Sequence, residues 1–461
     1  MRYPVMTNGL RAIAGLLMLT LPWASANAVS VVEVKSPNGI SAYLAEDHTA
    51  PIVAISFAFA GGTAMDPADK QGLSNLGASL LDEGAGDMDS LAFQTALEDQ
   101  AITLHASADR DQIRGQVVTT TATLTNAARL LTLALNKPRF DPDAVERVRQ
   151  EILVNLASEA EVPGHLARKA LFADLFGNHP YAREEDGEPA TVAKLTRADV
   201  AEWAKTRLAR DRLLVGVSGD ITADKLASLL DQILGGLPAT SPVSPALPQA
   251  TVATKARTDR VVRDLTQTTI FIGAPGIARN DPDWYAATVA DYVFGAGSFS
   301  SRLMNEVREK RGLAYTVRSQ LLPFDYAPIM VVSAGTRADQ SNASLGVIRD
   351  EWAKMTSRGP TAEEIDGAKQ YLTGAWPLRF TSTESIAALL VQIQHDHLGL
   401  DYIDKRNQLI NAVTAEDVSR VAKRLYKPDE MTVVIVGRTP DPNAKPAPAV
   451  PLKPLRRDEP Q

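Results

Sequence analysis

The 461-residue chain contains no cysteine. That excludes disulfides, a thiolate zinc site and a cysteine nucleophile. Histidine is almost as scarce, with six in all: His48, His105, His165, His179, His395 and His397. No two of them stand four apart, the spacing that sets two imidazoles on one helical face. His395-Asp396-His397 is the only cluster, and helical positions two apart diverge by about 200°, which reads as a polar helix end more than a chelate. His179 falls in NHPY, a turn signal. No G-x-S-x-G elbow occurs, and the glycine-rich GAGSFSS (295–301) lacks the lysine of a phosphate-cradling loop. Basic residues number 48 against 55 acidic ones, a formal net charge of −7 with no basic stripe. Nucleic-acid binding depends on phosphate attraction and is not expected here.

Long apolar runs are also missing beyond the N-terminus. The first 28 residues hold Arg2 and Arg11, no acid, the run AIAGLLMLTL (12–21) and two A-x-A patterns ending at Ala26 and Ala28. This pattern predicts a secretory signal peptide over 1–28, cleaved after Ala26 or Ala28. The alternative, a retained anchor, is disfavoured because the run is too short to span a bilayer. The mature chain is expected to have no stable membrane insertion. A cleaved leader on a cysteine-free chain fits a bacterial-type periplasm.

The chain repeats itself. LTRADVAEWAKTRLARDRLLVGVSGD (195–220) aligns with VTAEDVSRVAKRLYKPDEMTVVIVGR (413–438) at a constant offset of 218. Thr196 falls on Thr414, Asp199 on Asp417, Gly219 on Gly437, and upstream Pro142 and Glu146 fall on Pro360 and Glu364. A fixed offset over such distances implies a duplicated domain, with a period far longer than that of solenoid repeats. Each half reads as α+β, an antiparallel-rich sheet packed against helices. In the first half VVEVKSP, ISAYLAE and PIVAISFAFAGG read as strands, GLSNLGASLLDEG (72–84) as a long helix, and ITLHASAD and QIRGQVVTTT as further strands. A helix is expected to start at FDPDAVER, with Asp141 as N-cap and Pro142 at the first turn. The predicted organisation is a first domain over 29–236, a proline-rich linker over 237–257, a second domain over 258–438 and a disordered proline-rich tail over 439–461.

The run of strand, G-G-T, short loop, G-L and helix at 57–84 resembles the insulinase/pitrilysin-type metallopeptidases, whose inverted H-x-x-E-H motif lies on that helix. The five motif positions here are Asn75-Leu76-Gly77-Ala78-Ser79, so Asn75, Ala78 and Ser79 stand where the resemblance implies two histidines and a glutamate. The third ligand of the family falls near Asn155 or Leu156, with Glu151 and Glu159 a turn to either side. A lone carboxylate does not hold zinc, which takes three protein ligands in such sites. No metal or other cofactor is therefore expected on this chain. HPYAREEDGEPATVAKLTRADV (179–200) also resembles a family block, and the resemblance runs from Val29 to about Arg438, duplication included.

The resemblance gives meaning to SSRLMNEVREKRGLAY (300–315). Family members place an arginine and a tyrosine seven apart after an S-R-L helix, where they hydrogen-bond the substrate carbonyl as it becomes tetrahedral. Arg308 and Tyr315 occupy those positions. Donors placed where charge develops contribute about 3–4 kcal/mol each in a dry site. The plain alternative is a charged helix face followed by a core tyrosine. ITLHASADRDQIRG (102–115) resembles the strand that adds to bound peptide by β-augmentation. Its candidate substrate-binding residues are His105 and Ala106. Catalytic members carry Asn-Ala there, so the change implies weakened pairing, or an ordinary strand.

A chain that keeps the arginine and tyrosine but lacks the zinc ligands implies a two-chain enzyme. The expected partner is a homologous subunit bearing H-x-x-E-H and zinc, and the expected substrate is a short or unfolded peptide. The alternatives are a catalytically silent structural or peptide-binding subunit and, more weakly, an autonomous hydrolase with a metal near His395 and His397.

Overall fold

Alternating and continuous apolar runs become strands as their patterns dictate. The computed structural model describes residues 29–243 and 247–438. The expected signal peptide, residues 244–246 of the linker and the 439–461 tail lie outside the described residues. β1 (Val31–Lys35), β2 (Ser41–Glu46), β3 (Ile52–Ala60), β4 (Thr103–Ala108), β5 (Gln112–Thr120) and β6 (Leu213–Gly219) form one sheet in the order β1-β2-β6-β3-β5-β4. β7 (Arg257–Val262), β8 (Gln267–Pro275), β9 (Ala314–Leu322), β10 (Ile329–Arg337) and β11 (Thr432–Gly437) form the second, in the order β7-β11-β8-β10-β9. β2–β6 and β7–β11 pair in parallel and the other neighbours antiparallel. Apart from β1 the two orders are the same, with the last strand of each half inserted beside its first long strand. The fold is α+β, two homologous domains with an antiparallel-rich sheet and helices in each.

The repeated T-x-x-D of the two halves has a physical cause. Thr196 Oγ1 accepts the Asp199 N–H at 3.2 Å while Asp199 Oδ2 accepts the Thr196 N–H at 2.8 Å. Thr414 and Asp417 make the same reciprocal pair at 3.1 and 3.0 Å. Each caps the helix (Arg197–Arg207 or Ala415–Leu425) that leads into the buried closing strand.

The halves interlock through exchanged helices. Pro163–Phe176, from the first half, lies across β8 and β11, and Thr383–His395, from the second, lies across β2, β3 and β6. β3 is thereby covered on both faces, which is why IVAISFAFA is buried almost throughout. The crossing helix comes so close to β6 that a Cβ at Gly216 would sit 2.3 Å from the Ala387 carbonyl oxygen.

The seam carries a buried polar pin. The Tyr181 hydroxyl donates to Asp111 Oδ1 and accepts the Tyr326 N–H at 3.1 Å, and Asp111 Oδ2 accepts the Asp325 N–H at 3.3 Å. Arg110 beside it is stacked 4.2 Å over the Phe172 ring and ion-paired with Glu185. Burial, and then the facing Asp325 carboxylate, push the Asp111 carboxyl up to about 6. A carboxyl whose folded value lies above its unfolded one makes folding less favourable as pH rises between the two values, from about 4 to 6. Asp111→Asn mimics the protonated form. The melting temperature of the wild type relative to Asp111→Asn should fall as pH rises through that window and level off above it, as a pH series of thermal melts would register.

One element departs from the sequence reading. The helix expected over 72–84 spans only Leu73–Ser79. Its last turns tighten, with Leu80 N–H bonding Gly77 O and Leu81 N–H bonding Ala78 O, so that Leu80 and Leu81 turn into the core. Gly84 at φ 105° then completes the reversal.

Candidate functional site

The Leu73–Ser79 helix is fixed from behind. Ser74 donates its N–H to Asp66 Oδ2 at 2.9 Å and its hydroxyl to Oδ1 at 2.6 Å, and it accepts the Trp203 Nε1–H at 3.1 Å. Burial pushes the Asp66 carboxyl up to about 6 despite those bonds. Gly77 lies flat on the indole, where a Cβ would meet Trp203 Cε3 at 2.5 Å.

The exposed side of this helix faces a cavity of about 540 Å³. Asn75 and Ser79 line it, and so do His105 and Ala106 of β4 and Asn155 and Leu156 of the Pro142–Glu159 helix. Glu151 and Glu159 face the same space, so every candidate for the third position borders it. Ala78 does not line it and is buried. Asn75 Nδ2 donates to Asp186 Oδ1 at 2.9 Å, a partner the sequence reading did not name. Asp82 and Glu83 add further negative charge, and burial followed by Glu83 raises the Asp82 carboxyl above its ordinary range. Asparagine and serine at the motif positions do not suit zinc. Among the described residues no three histidine or carboxylate side chains are placed to hold a metal ion. His395, at the end of its helix, is engaged by Asp325 Oδ1 at 3.0 Å, and His397 follows in a left-handed turn at φ 55°.

β4 is the edge of its sheet, with Thr103, His105 and Ser107 exposed. An open edge offers unpaired backbone groups to an extended peptide.

Arg308 and Tyr315 come together in the second domain. Arg308 lies in a π-helical turn, Met304–Glu309, and Tyr315 is the second residue of β9. The Arg308 Cζ is 5.1 Å from the Tyr315 ring centroid and 5.0 Å from that of Phe299, so the guanidinium is stacked between two rings. Its Nε lies 3.4 Å from Glu309 Oε1. Tyr315 is 75% exposed, which rules out the core tyrosine of the plain alternative. Phe299, 63% exposed, is the residue the sequence reading missed. It is presented by a tight turn in which Ser298 takes φ 50°. Neither Arg308 nor Tyr315 lines the Asn75 cavity, whose walls, among the described residues, come from the first domain.

Comparison with known proteins agrees with this architecture. Residues 42–185 match the family described as insulinase (peptidase family M16), and residues 194–372 match its peptidase M16 inactive domain. The non-peptidase homolog YmxG of Helicobacter pylori is 25% identical over 399 residues, 85% of this chain and 90% of that protein. A probable mitochondrial-processing peptidase subunit beta of Schizosaccharomyces pombe is 23% identical over 396 residues, 82% of this chain and 84% of that one. The crystal structure of a peptidase M16 inactive domain from Pseudomonas fluorescens superposes with a TM-score of 0.84 at 26% identity, covering 89% of this chain and 98% of that one. The two family matches together span most of the chain: the chain belongs to the insulinase (M16) peptidase family, as a member without the zinc ligands.

Proposed function

We propose that this chain is the non-zinc subunit of a two-chain periplasmic metallopeptidase. The partner is a homologous subunit with an intact H-x-x-E-H helix, and its zinc supplies the activated water. Arg308 and Tyr315 bind the substrate carbonyl and stabilise the oxyanion of the tetrahedral intermediate in peptide-bond hydrolysis. A guanidinium and a phenol hydroxyl can both donate hydrogen bonds to such an oxygen. The observation that carries this reading is the stacked guanidinium beside an exposed phenol, in a chain whose own motif positions are Asn75, Ala78 and Ser79. Tyr315 is open to an acceptor arriving from outside the chain, and the Arg308 guanidinium lies against its ring. The S. pombe relative is named as a subunit, which supports a multichain setting.

A catalytically silent structural or peptide-binding subunit is the second reading. It is favoured by His105 at the strand position and by the name of the H. pylori relative.

The isolated mature chain tests the proposal. After dialysis it should hold far less than one zinc per chain by elemental analysis and should leave a quenched peptide uncut, while adding an H-x-x-E-H subunit should start cleavage. Stoichiometric zinc that disappears in a His395→Ala/His397→Ala variant would overturn it in favour of an autonomous hydrolase.

A further inference from the structure

The segment 302–311 carries four cationic side chains, and three of them are mated. Arg302 donates to Glu364 from Nε at 2.7 Å and from Nη2 at 2.6 Å. Lys310 donates to Glu306 Oε1 at 2.5 Å and Arg311 to Glu306 Oε2 at 2.6 Å. Arg308 differs. Its Nε is buried without a hydrogen-bond acceptor among the described residues, and the adjacent Glu309 carboxylate stands 3.4 Å away without bonding it. Its terminal nitrogens also lack an acceptor there, but they are not sealed off, and the side chain is 19% exposed. What holds this guanidinium is two rings, with Phe299 at 5.0 Å and Tyr315 at 5.1 Å from Cζ.

The rings are delivered unequally. Tyr315 comes from a regular strand. Phe299 comes from a tight turn between two π-helical turns, Tyr292–Ala296 and Met304–Glu309. Ser298 there takes φ 50°, a left-handed conformation that is strained in a residue other than glycine. Ser300 Oγ and Ser301 Oγ hold the turn by donating to the Gly297 and Ser298 carbonyls, each at 2.7 Å. Gly295 brings the same segment against β9, where a Cβ would sit 2.6 Å from Ser319 N. Core packing does not explain the strain, since Phe299 is 63% exposed and lies outside the hydrophobic cluster of its domain. Strained residues of this kind gather where a side chain must be presented for function.

We propose that Phe299 is a positioning residue for Arg308; this rests on the reading above, in which Arg308 binds the substrate carbonyl. A carboxylate partner would hold a guanidinium by occupying its N–H groups. An aromatic ring attracts the cation through its quadrupole and leaves the N–H groups free. Two rings thus fix the direction of Arg308 while its terminal donors stay available to an incoming oxygen. Without Phe299 only the Tyr315 contact remains, and the guanidinium is free to swing toward Glu309 or into solvent. Phe299 acts through Arg308 and touches no reacting atom. Leucine at 299 keeps an apolar side chain but has no quadrupole, whereas tyrosine keeps the ring.

The test has one readout that needs no activity. In the mature chain alone, the Arg308 Nε–H resonance, assigned by its loss in Arg308→Ala, should be displaced from the ordinary arginine position by the currents of two rings. Phe299→Leu should move it back toward that position and Phe299→Tyr should not, with the melting temperature of both unchanged. In the chain assembled with an H-x-x-E-H subunit, Phe299→Leu should lower kcat roughly tenfold at nearly constant KM, as a displaced donor does. Phe299→Tyr should restore most of that loss. In an Arg308→Ala background Phe299→Leu should change kcat by less than about twofold, because the two residues act as one unit. An Arg308 resonance indifferent to Phe299→Leu would overturn the clamp, whatever the activity. A moved resonance with full kcat, or an equal loss in the Arg308→Ala background, would overturn the positioning role. Unchanged turnover in Arg308→Ala would overturn that role together with the peptidase reading, and the resonance separates this case from failure of the clamp itself.

Discussion

Arg308→Ala, introduced into this chain and assembled with an H-x-x-E-H subunit, is expected to lower kcat/KM by roughly 10²–10³-fold. That range is the ordinary cost of deleting one donor from an oxyanion site that excludes water. Tyr315→Phe removes one hydroxyl and should fall in the same range. The double variant should lose less than the product of the two, because both donors serve one oxygen. Arg308→Lys keeps the charge but loses the planar fork that stacks between Phe299 and Tyr315, so it should rescue only in part. The loss should appear mainly in kcat, since the full charge exists only beyond the ground state. Folding of Tyr315→Phe should be nearly untouched: Tyr315 is exposed, and surface substitutions of this kind stay within about 0.5 kcal/mol. Steady-state kinetics on a quenched peptide, with a thermal melt of each variant, decides the matter. Unchanged turnover in both single variants would make the pair an inheritance and the chain a silent subunit.

Trp203→Ala is expected to destabilise the first domain by about 3–5 kcal/mol, the usual cost of emptying the space of a large buried aromatic. Three losses combine. The ring, 2% exposed, leaves a void under Gly77 that the helix backbone cannot fill without moving. The Ser74 hydroxyl loses the indole N–H it accepts at 3.1 Å. Asp66, already raised by burial, then depends on a less constrained Ser74. Trp203→Phe keeps a ring and should cost less than half as much. Denaturant unfolding of the chain, with the transition of the first domain followed separately, measures both. A loss below about 1 kcal/mol for alanine would mean that the helix carrying Asn75 and Ser79 is not held by this contact.

The strands were legible because burial imposes period two or an unbroken apolar run on them, and β3 shows the second pattern. The duplication was legible because Thr196 with Asp199, and Thr414 with Asp417, are capping pairs that each half requires at its last helix. Arg308 and Tyr315 could be named from spacing and resemblance. What stayed hidden depends on contacts without local periodicity. Phe299 reaches Arg308 only because a positive-φ Ser298 and a π-helical turn displace the chain from regular helix geometry. Asp111 meets Tyr181 and Asp325 across 70 and 214 residues of sequence. The helix at Leu73 reads longer in sequence than it is, since Leu80 and Leu81 carry on its apolar pattern while their backbone already turns away.

In the proposed two-chain enzyme, this chain lends Arg308 and Tyr315 to a zinc site on another chain. The most direct measurement is native purification of the tagged mature chain from its own periplasm, with sequencing of what co-elutes and assay of the eluate on a quenched peptide with and without chelator. The two-chain reading predicts a stoichiometric homologous partner with an intact H-x-x-E-H helix and cleavage that stops when zinc is removed. A chain that elutes alone and inert, or with a partner lacking that helix, would contradict it.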